Sequence, residues 1–380
     1  MPGCRSALAR SGRLLAVLVL AAAAAGCGTL TRNPTPSDRT AEARIPGLPD
    51  VRAWAGTVSP AMEQDFALSF EQESREDFPV GADGVVVYPH LALSGGGANG
   101  AFGAGFLNGW TSTGKRPTFK LVTGVSTGAL MAPFAFLGPQ YDDALREFYT
   151  TTRTRDVFRV GSFFGLIGQV LSGDSLADIS PLTQLLERHV DEKLLENVAA
   201  AHRQGRRLYV GTADLDSQQF VVWNLGLIAA SGHPDALALF RKAMLASASI
   251  PIAFPPVLFE VEVEGRRYDE LHVDGAVAAT VFLNGGVFRP RVLLDRAGRG
   301  PGREAIYIIH NGQLRALPTP TPRSVVGIAG RVFEAAGRAS VVNDLFRIYA
   351  FAARNDALYH WITIGPDVSL AAAEVFDQDK

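Results

Sequence analysis

The sequence predicts an α/β fold, a mainly parallel sheet with helices on both faces and therefore three layers. Three observations carry that prediction. Apolar runs of strand length alternate with segments of helical spacing through most of the chain, as when crossover helices join parallel strands. Two apolar runs end in small-residue turns, Ser94-Gly95-Gly96-Gly97-Ala98-Asn99-Gly100 and Gly124-Val125-Ser126-Thr127-Gly128, and in open sheets of this kind sites form at the carboxyl ends of strands. The composition is globular, 47% hydrophobic and 19% charged over 380 residues, enough for one large core or two smaller ones.

Taken in order, the chain starts with Arg5, Arg10 and Arg13, then the apolar run from Leu14 to Ala25, then Gly26-Cys27. This is the layout of an export signal over residues 1–27, and the run is too short to anchor across a bilayer. A small residue before cysteine resembles the bacterial lipobox, which makes Cys27 the expected site of acylation. The usual leucine three residues earlier is Ala24 here, so plain cleavage and a soluble exported product is the alternative. Cys4 is the only other cysteine, so no disulfide is expected. Residues 28–84 read as a tether and arm. Gly28 to Pro60 is rich in Pro, Thr, Ser and Ala, the composition of a flexible linker. Glu63 to Asp77, with Phe66, Phe70 and Phe78, reads as an amphipathic helix packed on the next domain.

The run from Val85 to Leu93 breaks into the glycine loop, the pattern of a buried strand entering a tight turn. Glycines there free backbone N–H groups to converge, and the helical spacing of Ala101 to Trp110 adds a helix N-terminus, which suits an anion or oxyanion. Leu121 to Leu130 fits the G-x-S-x-G elbow, with Ser126 at the apex between an apolar strand and the apolar helix ALMAPFAFL. The two turns together read as an acyl-transfer site.

Beyond the elbow, Asp142 to Tyr149 opens with carboxylates and predicts a helix. Val157 to Leu171 is apolar and broken by glycines, which fits either a flap over an acyl-chain groove or a core loop. Pro181 to His202 predicts helix, Arg207 to Asp214 a strand with Phe220 to Trp223 as its hairpin partner, and Ala236 to Ala248 helix again. Tyr268 to Val273 leads to Asp274-Gly275, and Ala305 to Ile309 leads to His310. Ser324 to Tyr349 and Phe351 to Leu358 predict a helical layer closing the domain, with Arg331, Arg338 and Arg347 on its solvated face.

In order and spacing, SGGGANGAFGAG, GVSTG, Ala246 to Pro256 and Val273-Asp274-Gly275-Ala276 resemble the patatin-like phospholipase family. The resemblance extends from about Val85 to Asn311. It implies the three-layer α/β/α fold, a catalytic domain over 85–315 and hydrolysis of lipid acyl esters, while the helical layer over 316–380 is read from its own apolar spacing. Ser126 is then the nucleophile, Asp274 its base, and Gly95, Gly96 and Gly97 the oxyanion loop. The chain differs in carrying Asn99 where the family often has Arg or Lys, and Ala276 where it often has a second glycine. A carboxylate of ordinary pKa, about 3.9, is a weak base for serine, so this reading requires burial around Asp274.

Two other readings fit some of the same residues. A Ser-Asp-His triad could use His310 or His360, and a non-enzymatic lipid-binding lipoprotein could use the same groove. Dinucleotide binding fits poorly, because no Asp or Glu occurs between Asp83 and Asp142 to hold a ribose, and the lysine of a phosphate-cradling loop is missing. The formal net charge of −2 calls for no nucleic-acid partner. The seven histidines are scattered, so no metal or other cofactor is expected. The expected partners are a phospholipid or other acyl-lipid substrate and, through Cys27, a membrane surface. Gly28-Thr29 lack the aspartate that resembles an inner-membrane retention signal, which points to the periplasmic face of an outer membrane.

Overall fold

The computed structural model describes residues 32–150, 159–160, 177–251, 253–289, 302–316, 318 and 320–368. Cys27 and nearly all of the expected flap over Val157 to Leu171 lie outside the described residues. In chain order the strands are β1 (Arg52–Trp54), β2 (Val86–Leu93), β3 (Leu121–Val125), β4 (Arg159–Val160), β5 (Ala177–Asp178), β6 (Arg207–Asp214), β7 (Gln219–Asn224), β8 (Val257–Val263), β9 (Arg266–Asp274), β10 (Gly302–His310) and β11 (Leu358–Thr363). The helices are α1 (Pro60–Gln72), α2 (Gly100–Ser112), α3 (Thr127–Leu137), α4 (Asp142–Thr150), α5 (Ser180–His189), α6 (Glu192–Arg203), α7 (Leu225–Ala230), α8 (Ala236–Ser247) and α9 (Val325–Arg354).

The central sheet runs β1-β7-β6-β3-β2-β10-β11. β6, β3, β2, β10 and β11 are mutually parallel, while β7 and β1 add an antiparallel edge. β2, β3 and β6 are almost wholly buried, which is why they read as continuous apolar runs rather than alternating ones. Side chains of α2 to α8 form the core on one face. Those of α1 and α9, with the segment around Phe282 and Phe288, form it on the other. This is the predicted three-layer α/β architecture.

Helix α3 is buried along its whole length, as the unbroken apolar sequence after Ser126 demands. The expected helix over Pro181 to His202 is two helices. Asp191 accepts the Leu194 N–H at 2.8 Å and starts α6, while Arg241 donates to the carbonyls of Val190 and Glu187 and closes α5. A carboxylate so placed is a better N-cap than a helix interior residue.

Two boundaries differ from expectation. From Arg32 onward the segment expected as a tether is fixed to the domain: Arg32 pairs with Asp216 and Asp269, Ala43, Ile45, Leu48 and Val51 are buried, and β1 joins the sheet edge. Prolines and small polar residues hid these apolar anchors because the segment has almost no regular period. At the other end, the helical reading of Phe351 to Leu358 stops at Arg354, and Leu358–Thr363 is a strand parallel to β10. Asp356, with φ 51°, makes the turn between them. The sheet therefore extends beyond the expected domain limit at 315.

Candidate active site

β6 works as a ruler for the site. Along one of its edges, β3 pairs from Leu121 opposite Arg207 to Val125 opposite Gly211. Where β3 ends, β9 takes over the same edge, with Asp274 opposite Thr212. Ser126 follows Val125 directly, so the register brings the serine and the aspartate together although they are far apart in sequence. The junction admits no side chain: a Cβ on Gly275 would lie 2.4 Å from the Gly211 carbonyl oxygen.

The serine turn is strained in the manner of an elbow. Ser126 has φ 56° and ψ −126°, a conformation costing of order 1–3 kcal/mol for a non-glycine residue. Its surroundings hold it there. Its N–H donates to the Ser247 hydroxyl at 3.0 Å, and that hydroxyl donates to the Gly211 carbonyl at 2.6 Å. A Cβ on Gly124 would meet the Gly128 carbonyl oxygen at 2.3 Å, and one on Gly128 would meet that of Leu93 at the same distance. Both glycines of the motif are thus required by backbone contact.

Asp274 is 1% exposed. Its N–H donates to the Ser249 carbonyl at 2.9 Å, and its carboxylate accepts the Ala276 N–H at 2.8 Å. Burial raises its pKa from an ordinary 3.8 to about 7, although hydrogen bonding with the Ser126 side chain and the Ala276 N–H pulls the other way. The carboxylate therefore sits where a general base works best, near neutrality.

The glycine loop packs directly on this pair. A Cβ on Gly95 would lie 3.3 Å from that of Ser126, and one on Gly96 would fall 1.9 Å from the Asn311 carbonyl oxygen. The three expected oxyanion donors differ in availability. Gly95 donates its N–H to the Thr280 carbonyl at 3.0 Å, whereas Gly96 and Gly97 have no acceptor for theirs among the described residues. Gly95 therefore serves as the loop's anchor, and the open donors are Gly96 and Gly97.

His310 is also placed by this loop. Its Nδ1 lies 3.0 Å from the Ser94 hydroxyl, which donates to the Gly95 carbonyl and receives the Asn311 N–H. Donation of the single Ser94 proton to Gly95 is compatible with the His310 tautomer that carries its hydrogen on Nδ1. Burial lowers the pKa of His310 to about 4, leaving a neutral ring at physiological pH. His360 is on the exposed face of β11, stacked on Tyr307. Neither histidine has Ser126 or Asp274 as a hydrogen-bond partner.

Sequence reasoning missed the supporting groups Ser94, Asn311, Ser247 and Thr280. The segment Ala246 to Pro256 did carry a signal, since Ser247 holds Ser126 and Ser249 holds Asp274. Among the described residues no three His, Cys, Asp or Glu side chains come together to hold a metal ion.

A model of the patatin-like phospholipase family matches residues 91–285, just over half of the 380 residues. Comparison with curated protein sequences finds no match. Among solved structures the chain is similar to VipD from Legionella pneumophila, with 13% identity, a TM-score of 0.29, and 67% of this chain covering 55% of that one. It is also similar to human GIVD cytosolic phospholipase A2, with 11% identity, a TM-score of 0.33, and 76% of this chain covering 51% of that one. The chain thus spans about half the length of these two proteins. On the family match over residues 91–285, which contains both small-residue turns and the Asp-Gly turn, the chain belongs to the patatin-like phospholipase family.

Proposed function

We propose that the protein is a lipid acyl hydrolase of the phospholipase A or lysophospholipase type, working through Ser126 and Asp274. The observation that carries this is the side-by-side placement of the two residues along β6, with a carboxyl raised to about 7 by burial.

In the first step the Ser126 Oγ bonds to the ester carbonyl carbon while its proton passes to the Asp274 carboxylate. The carbonyl oxygen becomes an oxyanion facing the N–H groups of Gly96 and Gly97 at the N-terminal end of α2. Each such donor is worth roughly 3 kcal/mol of barrier. Collapse breaks the bond to the leaving alcohol, which takes the proton from Asp274 and departs, leaving an acyl-serine. Water then gives a proton to Asp274 as its oxygen attacks the acyl carbon, and the second collapse returns that proton to Ser126 and frees the fatty acid. The neutral imidazole of His310 is bound to Ser94 and takes no part in proton transfer.

The test is reaction with an organophosphonate ester followed by mass spectrometry. A single adduct on Ser126, lost in Ser126→Ala, is expected; an adduct elsewhere overturns the assignment. Hydrolysis should survive His360→Ala, and also His310→Asn, whose amide keeps a donor near the Nδ1 position. Loss of activity in a folded variant of either kind would favour the triad.

The same reading includes an anchor. Cys27, once acylated, would hold the site near bilayer lipid at the periplasmic face of an outer membrane, where high local concentration offsets weak affinity for a single lipid. One acyl chain gives only reversible binding, whereas two make release rare.

A further inference from the structure

We propose that Asp344, on the C-terminal helix α9 and outside the segment matched by the family, is a positioning residue for the oxyanion loop, acting through the Thr280–Val281 peptide. The inference rests on the Ser126 reading above.

Asp344 is 3% exposed, and burial raises its pKa. One of its oxygens accepts the Thr280 N–H at 2.8 Å and the Val281 N–H at 3.3 Å, with the Ser340 hydroxyl at 3.4 Å. Arg347 stands 3.6 Å from the other oxygen. A charge this buried is tolerated only where donors satisfy it, and two of these donors are backbone groups of a segment with no regular structure.

The Thr280–Val281 peptide links this carboxylate to the catalytic loop. In a trans peptide the N–H and C=O point in opposite directions. The Val281 N–H faces Asp344, so the Thr280 carbonyl faces away from it, and there it accepts the Gly95 N–H at 3.0 Å. A negative charge behind the N–H also polarises the peptide and strengthens its carbonyl as an acceptor. Gly95 is the residue held against Ser126, and its own carbonyl is fixed by the Ser94 hydroxyl. With both polar ends of Gly95 tied, the 95–96 peptide plane is set, and with it the direction of the Gly96 N–H. The Thr280 hydroxyl bonds to the Gly337 carbonyl at 3.4 Å, so α9 holds this segment at two points.

Loss of the carboxylate should therefore act on transition-state stabilisation rather than on substrate binding. In the full-length chain, Asp344→Ala should lower kcat about 10- to 100-fold, the scale of a slightly misplaced catalytic group, with KM little changed. The rate of phosphonate labelling at Ser126 should fall in parallel, because that reaction also develops an oxyanion. Asp344→Asn, whose amide oxygen still accepts an N–H, should recover much of the loss. Val341→Ala, one helical turn away in the core, controls for damage to α9 and should lower the melting temperature while leaving kcat unchanged. Labelling of Asp344→Ala and Asp344→Asn at the wild-type rate overturns the proposal while leaving Ser126 as nucleophile. So does a loss of kcat in Val341→Ala equal to that in Asp344→Ala. If the wild-type protein is labelled elsewhere than at Ser126, the nucleophile assignment fails and the proposal fails with it.

Discussion

Replacing Asp274 by asparagine should make the protein more stable as it destroys activity, and the gain should grow with pH. The physical reason is linkage. In the folded state the carboxyl has a pKa of about 7 because burial disfavours its charge, against an ordinary value of 3.8. The folded state therefore binds more protons than the unfolded state between these values, and stability falls as pH rises through that window. The contribution is fully present below about pH 4 and fully lost above about pH 7. At 1.36 kcal/mol per pH unit, the full difference is about 4 kcal/mol. Asparagine does not titrate, and its amide oxygen can still accept the Ala276 N–H that Asp274 holds at 2.8 Å. The buried histidines His90, His202, His272 and His310, whose pKa values are lowered, are present in both proteins and cancel in the difference. Urea denaturation of both proteins from pH 5 to pH 8 isolates the effect. Over that interval the stability of the asparagine variant relative to wild type should rise by about 3 kcal/mol. In the wild type, kcat/KM for a soluble ester should fall about tenfold per pH unit below pH 7 as the base is protonated. Stability curves that run parallel across the interval would refute a buried, neutral-leaning Asp274 and remove the main support for its role as base.

Other substitutions test the scaffold and the anchor. Gly128→Ala forces a Cβ to 2.3 Å from the Leu93 carbonyl oxygen and should destabilise by about 1–3 kcal/mol, read by denaturation, with phosphonate labelling slowed. Glu73→Ala leaves Lys120, itself 0% exposed, without its carboxylate partner and should cost about 3–5 kcal/mol; a near-neutral result would show that Ser69 and the surrounding rings suffice. Cys27→Ser should leave turnover of a soluble short-chain ester unchanged while moving the protein out of the membrane fraction, and a wild-type protein found soluble with a different mature N-terminus would refute acylation.

Much of the candidate site was legible in the sequence because its turns depend on local backbone geometry. Ser126 needs small neighbours on both sides, Gly96 needs room beside Asn311, and Asp274 needs glycine after it, so each leaves a contiguous signature within a few residues. The layer architecture was legible for a similar reason, since strands buried on both faces and the fully enclosed α3 must be apolar throughout. The sequence did not determine which partners hold those turns in place. Thr280, Asn311 and Asp344 are ordinary polar residues with no local pattern, Ser247 is marked only by the segment it lies in, and all four act through hydrogen bonds to chain segments far away in sequence. Nor did it determine that β6 would carry β3 and then β9 along one edge, the register that joins serine to aspartate. The raised pKa of Asp274 belongs to the same level, because desolvation depends on everything packed around a carboxylate and not on its neighbours in the chain.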